Sequence, residues 1–176
     1  MVNRPKQIGT AAETAVVRTA RRLGFPGADR LTLTGHLDRG DVGLCPGVII
    51  EVKGGGAAKT ASDGLIDTWL AETARERLHA GADVAFLVTQ RAGVGAPNAH
   101  RWWAWWRLGD LIALRHTWRA GTDAVVRMQL GDALAQLRAV GYGEPLTNHG
   151  THSGTDHGTG DVPWLPARAG AAGGAS

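Results

Sequence analysis

Apolar positions recur along this chain first at helical spacing and then at strand spacing. Between residues 8 and 23, Ile8, Ala12, Ala15, Val16, Thr19 and Leu23 fall three or four apart, which predicts one face of an amphipathic helix. Arg18, Arg21 and Arg22 crowd the other side, Gly24 ends the helix and Pro26 prevents its continuation. Residues 29–35 alternate polar and apolar, as an antiparallel strand does. Gly40-Asp41 reads as a turn into a short strand, Val42 to Cys45, and Pro46-Gly47 as a second turn. The run Gly47-Val48-Ile49-Ile50-Glu51-Val52-Lys53 is β-branched and apolar up to a Glu-x-Lys pair, which predicts a buried strand. Side chains alternate along a strand, so Ile49, Glu51 and Lys53 share one face and Val48, Ile50 and Val52 the other. Short loops between the three strands predict a meander.

Gly54 to Lys59 reads as a loop whose glycines leave room for a phosphate backbone. Residues 62–80 predict a second helix, with Leu65, Ile66, Trp69, Leu70, Thr73 and Leu78 inward. Glu72, Arg75, Glu76 and Arg77 read as its solvated face. Val84–Val88 is apolar throughout and predicts a buried strand, separated from Lys53 by a connection long enough to make the two strands parallel. A Gly-rich loop, 90–99, leads to Arg101–Trp106, read as the last strand. Its four tryptophans could stack on bases, but such a cluster is more often core or subunit contact. Asp110–Trp118 and Asp123–Val140 read as two further helices. From Glu144 the chain turns to Gly, Thr, His and Pro, a composition too poor in apolar residues to fold. His149, His152 and His157 are read as part of that disordered tail. The expected organisation is therefore a domain over 1–143, with its core at about 5–107 and helices at about 109–141, followed by a tail over 144–176.

With 176 residues, 43% hydrophobic and 20% charged, the chain has the composition of one globular domain plus a tail. It has no run of about 20 apolar residues and no apolar core of a signal peptide near Met1. A single cysteine, Cys45, excludes an internal disulfide, and cytoplasmic localisation is expected. The net charge of +3 permits a polyanionic partner without demanding one. Lys6, Lys53 and Lys59 are the three lysines, and arginine supplies the other 16 of the 19 basic residues.

Three short motifs carry candidate chemistry. They are Gly9-Thr10-Ala11-Ala12-Glu13 on the first helix, Gly40-Asp41-Val42 before a strand, and Ile50-Glu51-Val52-Lys53 on the next strand, which a helix follows. Each has a purely structural reading. Glu13 could close a capping box with Thr10, Asp41 could be a turn residue, and Glu51 could pair with Lys53. In this order and spacing the motifs resemble the PD-(D/E)XK nuclease superfamily, and within it the archaeal-type Holliday junction resolvases and their phage and actinobacterial relatives. The resemblance covers roughly residues 5–107. It departs from the superfamily's name in having Gly-Asp for Pro-Asp.

The resemblance implies an α/β, restriction-endonuclease-like fold, with a central mixed sheet flanked by helices. It also implies a DNA endonuclease, a junction resolvase first, with a nuclease of the repair or restriction type or a catalytically silent DNA-binding subunit of the same fold as the alternatives. The endonuclease would use Mg²⁺, or Mn²⁺ in its place, held by Asp41, Glu51 and the backbone carbonyl of Val52. Glu13 would act through a metal-bound water or a second metal. Lys53 would orient the attacking water or offset charge developing on the phosphate. Arg39, Lys59, Arg91 and Arg101 are the candidate phosphate contacts. A junction has two symmetric cleavage points and this chain has one set of site residues, so a homodimer on branched DNA is expected.

Overall fold

In the computed structural model, residues 4–31, 40–115 and 123–145 are described. Arg39, residues 116–122 and the expected tail from residue 146 onward lie outside them. The described residues form twelve elements, built on one six-stranded mixed sheet. Helix α1 (Arg4–Arg22) precedes β1 (Asp29–Arg30), β2 (Val42–Cys45) and β3 (Val48–Lys53). A short helix α2 (Gly55–Lys59) and the longer α3 (Asp63–Ala80) lead to β4 (Val84–Thr89). A 3-10 turn (Ala96–Arg101), β5 (Trp103–Arg107), α4 (Leu108–Ala113), β6 (Val125–Gln129) and α5 (Leu130–Ala139) complete the described chain.

The strands lie side by side in chain order. The meander β1–β2–β3 is antiparallel, β3 and β4 are parallel, and β5 and β6 follow antiparallel. The parallel pair exists because α3 carries the chain back across the sheet, as its length between Lys53 and Val84 required. Alternation sorts the strand residues into two layers. Val48, Ile50, Val52, Phe86, Val88, Ala104 and Trp106 pack with α1 and α5 in the main core, where Phe86 and Trp106 stack with centroids 4.4 Å apart. On the opposite face Leu87 and Trp105 meet Ile66, Trp69 and Leu70 of α3. Ser62 caps α3, its side chain accepting from the Leu65 N–H, and Gly81 closes the helix in the left-handed conformation. Among the described residues no helix is long and apolar enough to cross a membrane.

Several expectations need correction. The tryptophan strand is not the last. Residues 125–129, expected inside a helix, form β6, because the β-branched Val125-Val126 extends a ladder along β5 that a helix could not complete. Helix α1 begins at Arg4, so Thr10 lies in its second turn and cannot be a cap, which removes the capping box for Glu13. Residues 55–59 are helical rather than loop. Ile8 and Leu78, expected inward, are 41% and 73% exposed. In α3 the inward stripe continues through Thr73 to Glu76, which is 6% exposed instead of solvated. Glu144, expected to begin the tail, donates its N–H to Gly24 O at 2.8 Å, and Arg138 grips the carbonyls of Glu144 and Pro145 at 2.9 and 2.7 Å.

Candidate active site

The ladder between β2 and β3 reaches Val42 opposite Ile50, and Asp41 takes over where β2 begins. Its N–H donates to Ile50 O at 3.2 Å, and its carbonyl accepts from Leu31 N–H at 2.8 Å. Its Oδ2 accepts from the Val52 N–H at 2.8 Å. The carboxylate thus replaces a backbone partner and is aimed along β3 towards Glu51 and Lys53. Gly40 makes this possible with φ of 87°, a backbone conformation that L side chains rarely adopt. A strand residue turns its N–H and C=O to the same neighbour. The Val52 carbonyl therefore faces the Asp41 side, while Lys53 turns the other way and its carbonyl accepts from Gln90 N–H at 3.0 Å.

Glu51 is buried, at 5% exposure. Its Oε1 meets Lys53 Nζ at 2.7 Å, and Glu72 of α3 approaches the same ammonium at 3.4 Å. The Trp69 ring centroid lies 5.9 Å from that nitrogen. Burial disfavours the Lys53 ammonium, but Glu51 and Glu72 outweigh it and hold its pKa above the ordinary lysine value. Glu51 is pushed up to about 7, mainly by burial and also by the neighbouring Glu76 carboxyl, against the opposing pull of Lys53. Asp41 is likewise pushed up to about 7 by burial and by repulsion from Glu51 and Glu13; the Val52 N–H and Lys53 pull the other way. All four residues of the motif set are therefore close enough for Glu13, Glu51 and Lys53 each to act on Asp41. Glu13 itself is held by Arg30, whose Nε donates to its Oε2 at 2.6 Å.

Among the described residues no three His, Cys, Asp or Glu side chains gather closely enough to hold a metal by themselves. A Mg²⁺ ion does not need three, since it is commonly held by one or two carboxylates with waters filling the rest of its octahedron. Asp41, Glu51 and the Val52 carbonyl fit that requirement chemically. They are hard oxygen donors, and two of them repel one another in a partly desolvated site.

The candidate phosphate contacts are dispersed. Arg91 stacks on Trp103, its guanidinium 4.1 Å from the ring centroid. Exposed Lys59 lines a cleft with Ile8, Ala12, Gly55, Gly56 and Gln90. Arg101 ends the 3-10 turn that packs on α1 and α5, in the layer opposite α3. Arg39 lies outside the described residues.

The glycines after Lys53 also differ from expectation. A Cβ on Gly54 would stand 2.7 Å from the Ala12 Cβ, and Gly55 has φ of 82° with Ile8 Cγ2 only 2.9 Å from where its Cβ would be. These two glycines admit α1, and Gly56 alone of the three faces open space.

Sequence reasoning missed Glu72 and Glu76. The signal that could have found them is their i, i+4 spacing beside the inward stripe of buried Ile66, half-buried Trp69 and buried Thr73. Comparison with family models, with curated proteins and with solved structures finds no match to this chain.

Proposed function

We propose that this chain is a Mg²⁺-dependent DNA endonuclease of the PD-(D/E)XK type, with a restriction-endonuclease-like core, and that its substrate is branched DNA. The observation that carries the reading is the position of Asp41, whose Oδ2 accepts the Val52 N–H at 2.8 Å, next to buried Glu51 on the adjacent strand, with Lys53 Nζ 2.7 Å from Glu51 and burial pushing both carboxyls up to about 7. Carboxylates so desolvated and so close to one another are costly unless a cation offsets them. The order of elements agrees with the resemblance: an acidic residue on α1, Gly-Asp entering β2, Glu-x-Lys on β3, and a helical crossover to a parallel strand.

Asp41, Glu51 and the Val52 carbonyl would hold the metal, with Glu13 reaching it through water, and Mn²⁺ could replace Mg²⁺. When bound, such an ion polarises a phosphoryl oxygen and makes an attached water acidic enough to attack. The remaining work falls to the chain. Asp41 and Glu51 must each give up a proton to serve as ligands. Lys53 stays protonated at neutral pH and presents its ammonium where charge develops on the phosphate. Glu72 gives that ammonium a second carboxylate, so Lys53 keeps a partner when Glu51 turns to the metal.

Two symmetric cuts in a four-way junction call for a second copy of the chain. Trp102 and Trp106 are spent in the chain's own core. Among the described residues, Leu111, Ile112, Leu114 and Met128 line one groove beside α5 that offers apolar surface to a partner. The test is Mg²⁺-dependent cleavage of a four-way junction, nicked duplex, single strand and linear duplex at equal concentration, alongside a mass measurement in solution. A homodimer preferring the junction is expected. Equal cutting of all four by a monomer removes the resolvase reading, and no cutting of any removes the nuclease.

A further inference from the structure

Two cross-strand rows run over the sheet face that carries Glu51 and Lys53. One joins Lys53, Thr89, Trp103 and Gln129, and the other joins Glu51, Leu87, Trp105 and Arg127. Residues directly opposite in neighbouring strands share a face. Helix α3 covers the second row at Leu87 and Trp105, whereas Trp103 stands outside that cluster and stays half-buried. Two guanidinium groups lie on the Trp103 ring, Arg91 at 4.1 Å and Arg127 at 4.4 Å from its centroid. Arg127 also reaches the Trp105 ring, at 5.3 Å.

Arginine over an indole is attracted by the negative ring face. Two arginines on one ring are different, because they bring like charges together. Some arginines in this fold that approach other elements find carboxylates, Arg30 meeting Glu13 at 2.6 Å and Arg107 meeting Asp67 at 2.8 Å, and others find neutral oxygens, as Arg115 finds Gln136. Among the described residues neither Arg91 nor Arg127 makes such an ion pair. Stacking fixes the guanidinium planes and leaves their N–H edges free to grip a second group, and planar forks of this kind match phosphate oxygens.

The pair is also tied to the candidate active site. Gln90, next to Arg91, donates its N–H to Lys53 O at 3.0 Å and accepts the Gly55 N–H on its Oε1 at 2.9 Å. Trp103 lies two strands from Lys53, about 10 Å at the usual strand spacing. One polynucleotide strand can touch both places. We infer that Arg91 and Arg127, stacked on Trp103, form a second phosphate site that grips a non-scissile backbone phosphate of the strand lying in the Asp41–Glu51–Lys53 site. The inference rests on the nuclease reading, and it brings in Arg127 and Trp103, which no motif points to.

The test is binding of a fluorescent four-way junction and a fluorescent duplex across a salt series, without divalent metal, with cleavage measured separately in Mg²⁺. Arg91→Ala and Arg127→Ala should each raise Kd on the order of 5- to 10-fold and lower the slope of log Kd against log salt by about 0.9, the value for one phosphate contact. Arg75→Ala, on the exposed side of α3, should leave that slope unchanged. Arg127→Gln and the two Arg→Lys variants keep the question answerable if an alanine variant melts early. A wild type that binds and cuts, with the same slope in both alanine variants, overturns the second phosphate site and leaves the nuclease standing. Lowered slopes with no cutting support the site and remove the cleavage chemistry. A wild type that binds neither DNA overturns both.

Discussion

The β2–β3 end of the sheet and the β5–β6 side are built on opposite terms. At β5 the packing is apolar: Trp106 lies on Phe86 in the main core, with its indole N–H buried and without a partner among the described residues, and Trp105 donates its indole N–H to Thr89 Oγ1 at 2.8 Å. At β3 the apolar strand ends in Glu51 and Lys53, beside Asp41 and against Glu76. There burial raises the pKa of Asp41 and Glu51, helped at Asp41 by Glu51 and at Glu51 by Glu76, and a single ammonium serves Glu51 and Glu72. One side gains stability from burial. The other holds carboxyls where burial disfavours their charged form. The contrast teaches that a buried charged cluster costing its own fold is where function is to be sought.

The comparison breaks first at Glu51. Glu51→Gln should reduce Mg²⁺-dependent cleavage to background while DNA binding is kept or strengthened, because a carboxyl that repels phosphate leaves the site. Cleavage by this variant at the wild-type rate ends the ligand assignment. On the other side, Trp106→Ala should cost about 3–5 kcal/mol in denaturant unfolding, the range for emptying a buried aromatic site. Its activity should fall only as far as the folded fraction does. Trp106→Phe, which retains a ring against Phe86, should cost much less.

Lys53→Ala separates chemistry from pairing. If the ammonium stabilises developing charge, turnover should fall by ~10²–10³-fold with the melting temperature little changed. A change confined to stability reduces Lys53 to the structural partner of Glu51.

The smallest effect concerns pH. The folded pKa values of Asp41 and Glu51, about 7, stand above the ordinary carboxylate values. The native state therefore keeps these protons to higher pH than the unfolded state. The stability they contribute is complete below the unfolded values near ~4 and is lost as pH rises through about 7. Without metal, the melting temperature should fall between pH 5 and pH 8, as thermal denaturation at each pH will measure. Asp41→Asn should flatten that fall and melt roughly 2–4 °C higher than wild type at pH 8, a gain on the order of 1 kcal/mol. Mg²⁺ should raise the wild-type melting temperature more at pH 8 than at pH 5, and should not do so in Asp41→Asn. A metal-free melting temperature indifferent to pH shows that the two carboxyls are not strained.

The local pattern along the chain was enough to determine the helix on which Glu13 sits, the turn at Gly40-Asp41, the β2–β3 hairpin and the buried strand carrying Glu51 and Lys53. Those features depend on alternation, on β-branched runs and on glycine, all of which act between near neighbours. The parallel pairing of β3 with β4 was legible too, because a connection of that length permits it. Residues 125–129 were not legible. Their strand state comes from the ladder β5 offers, and partners 18 to 26 residues away leave no trace in local periodicity. Glu76 was misjudged for a similar reason, since a carboxylate on a helix reads as solvated until the sheet beneath it is known. Gly54 and Gly55 looked open to a ligand, and it is the close approach of α1 that requires them. Only tertiary structure aims the Asp41 carboxylate at the Val52 N–H, brings Glu72 to Lys53 and sets two arginines on Trp103, because those relations join residues whose separation in sequence carries no signal of their separation in space.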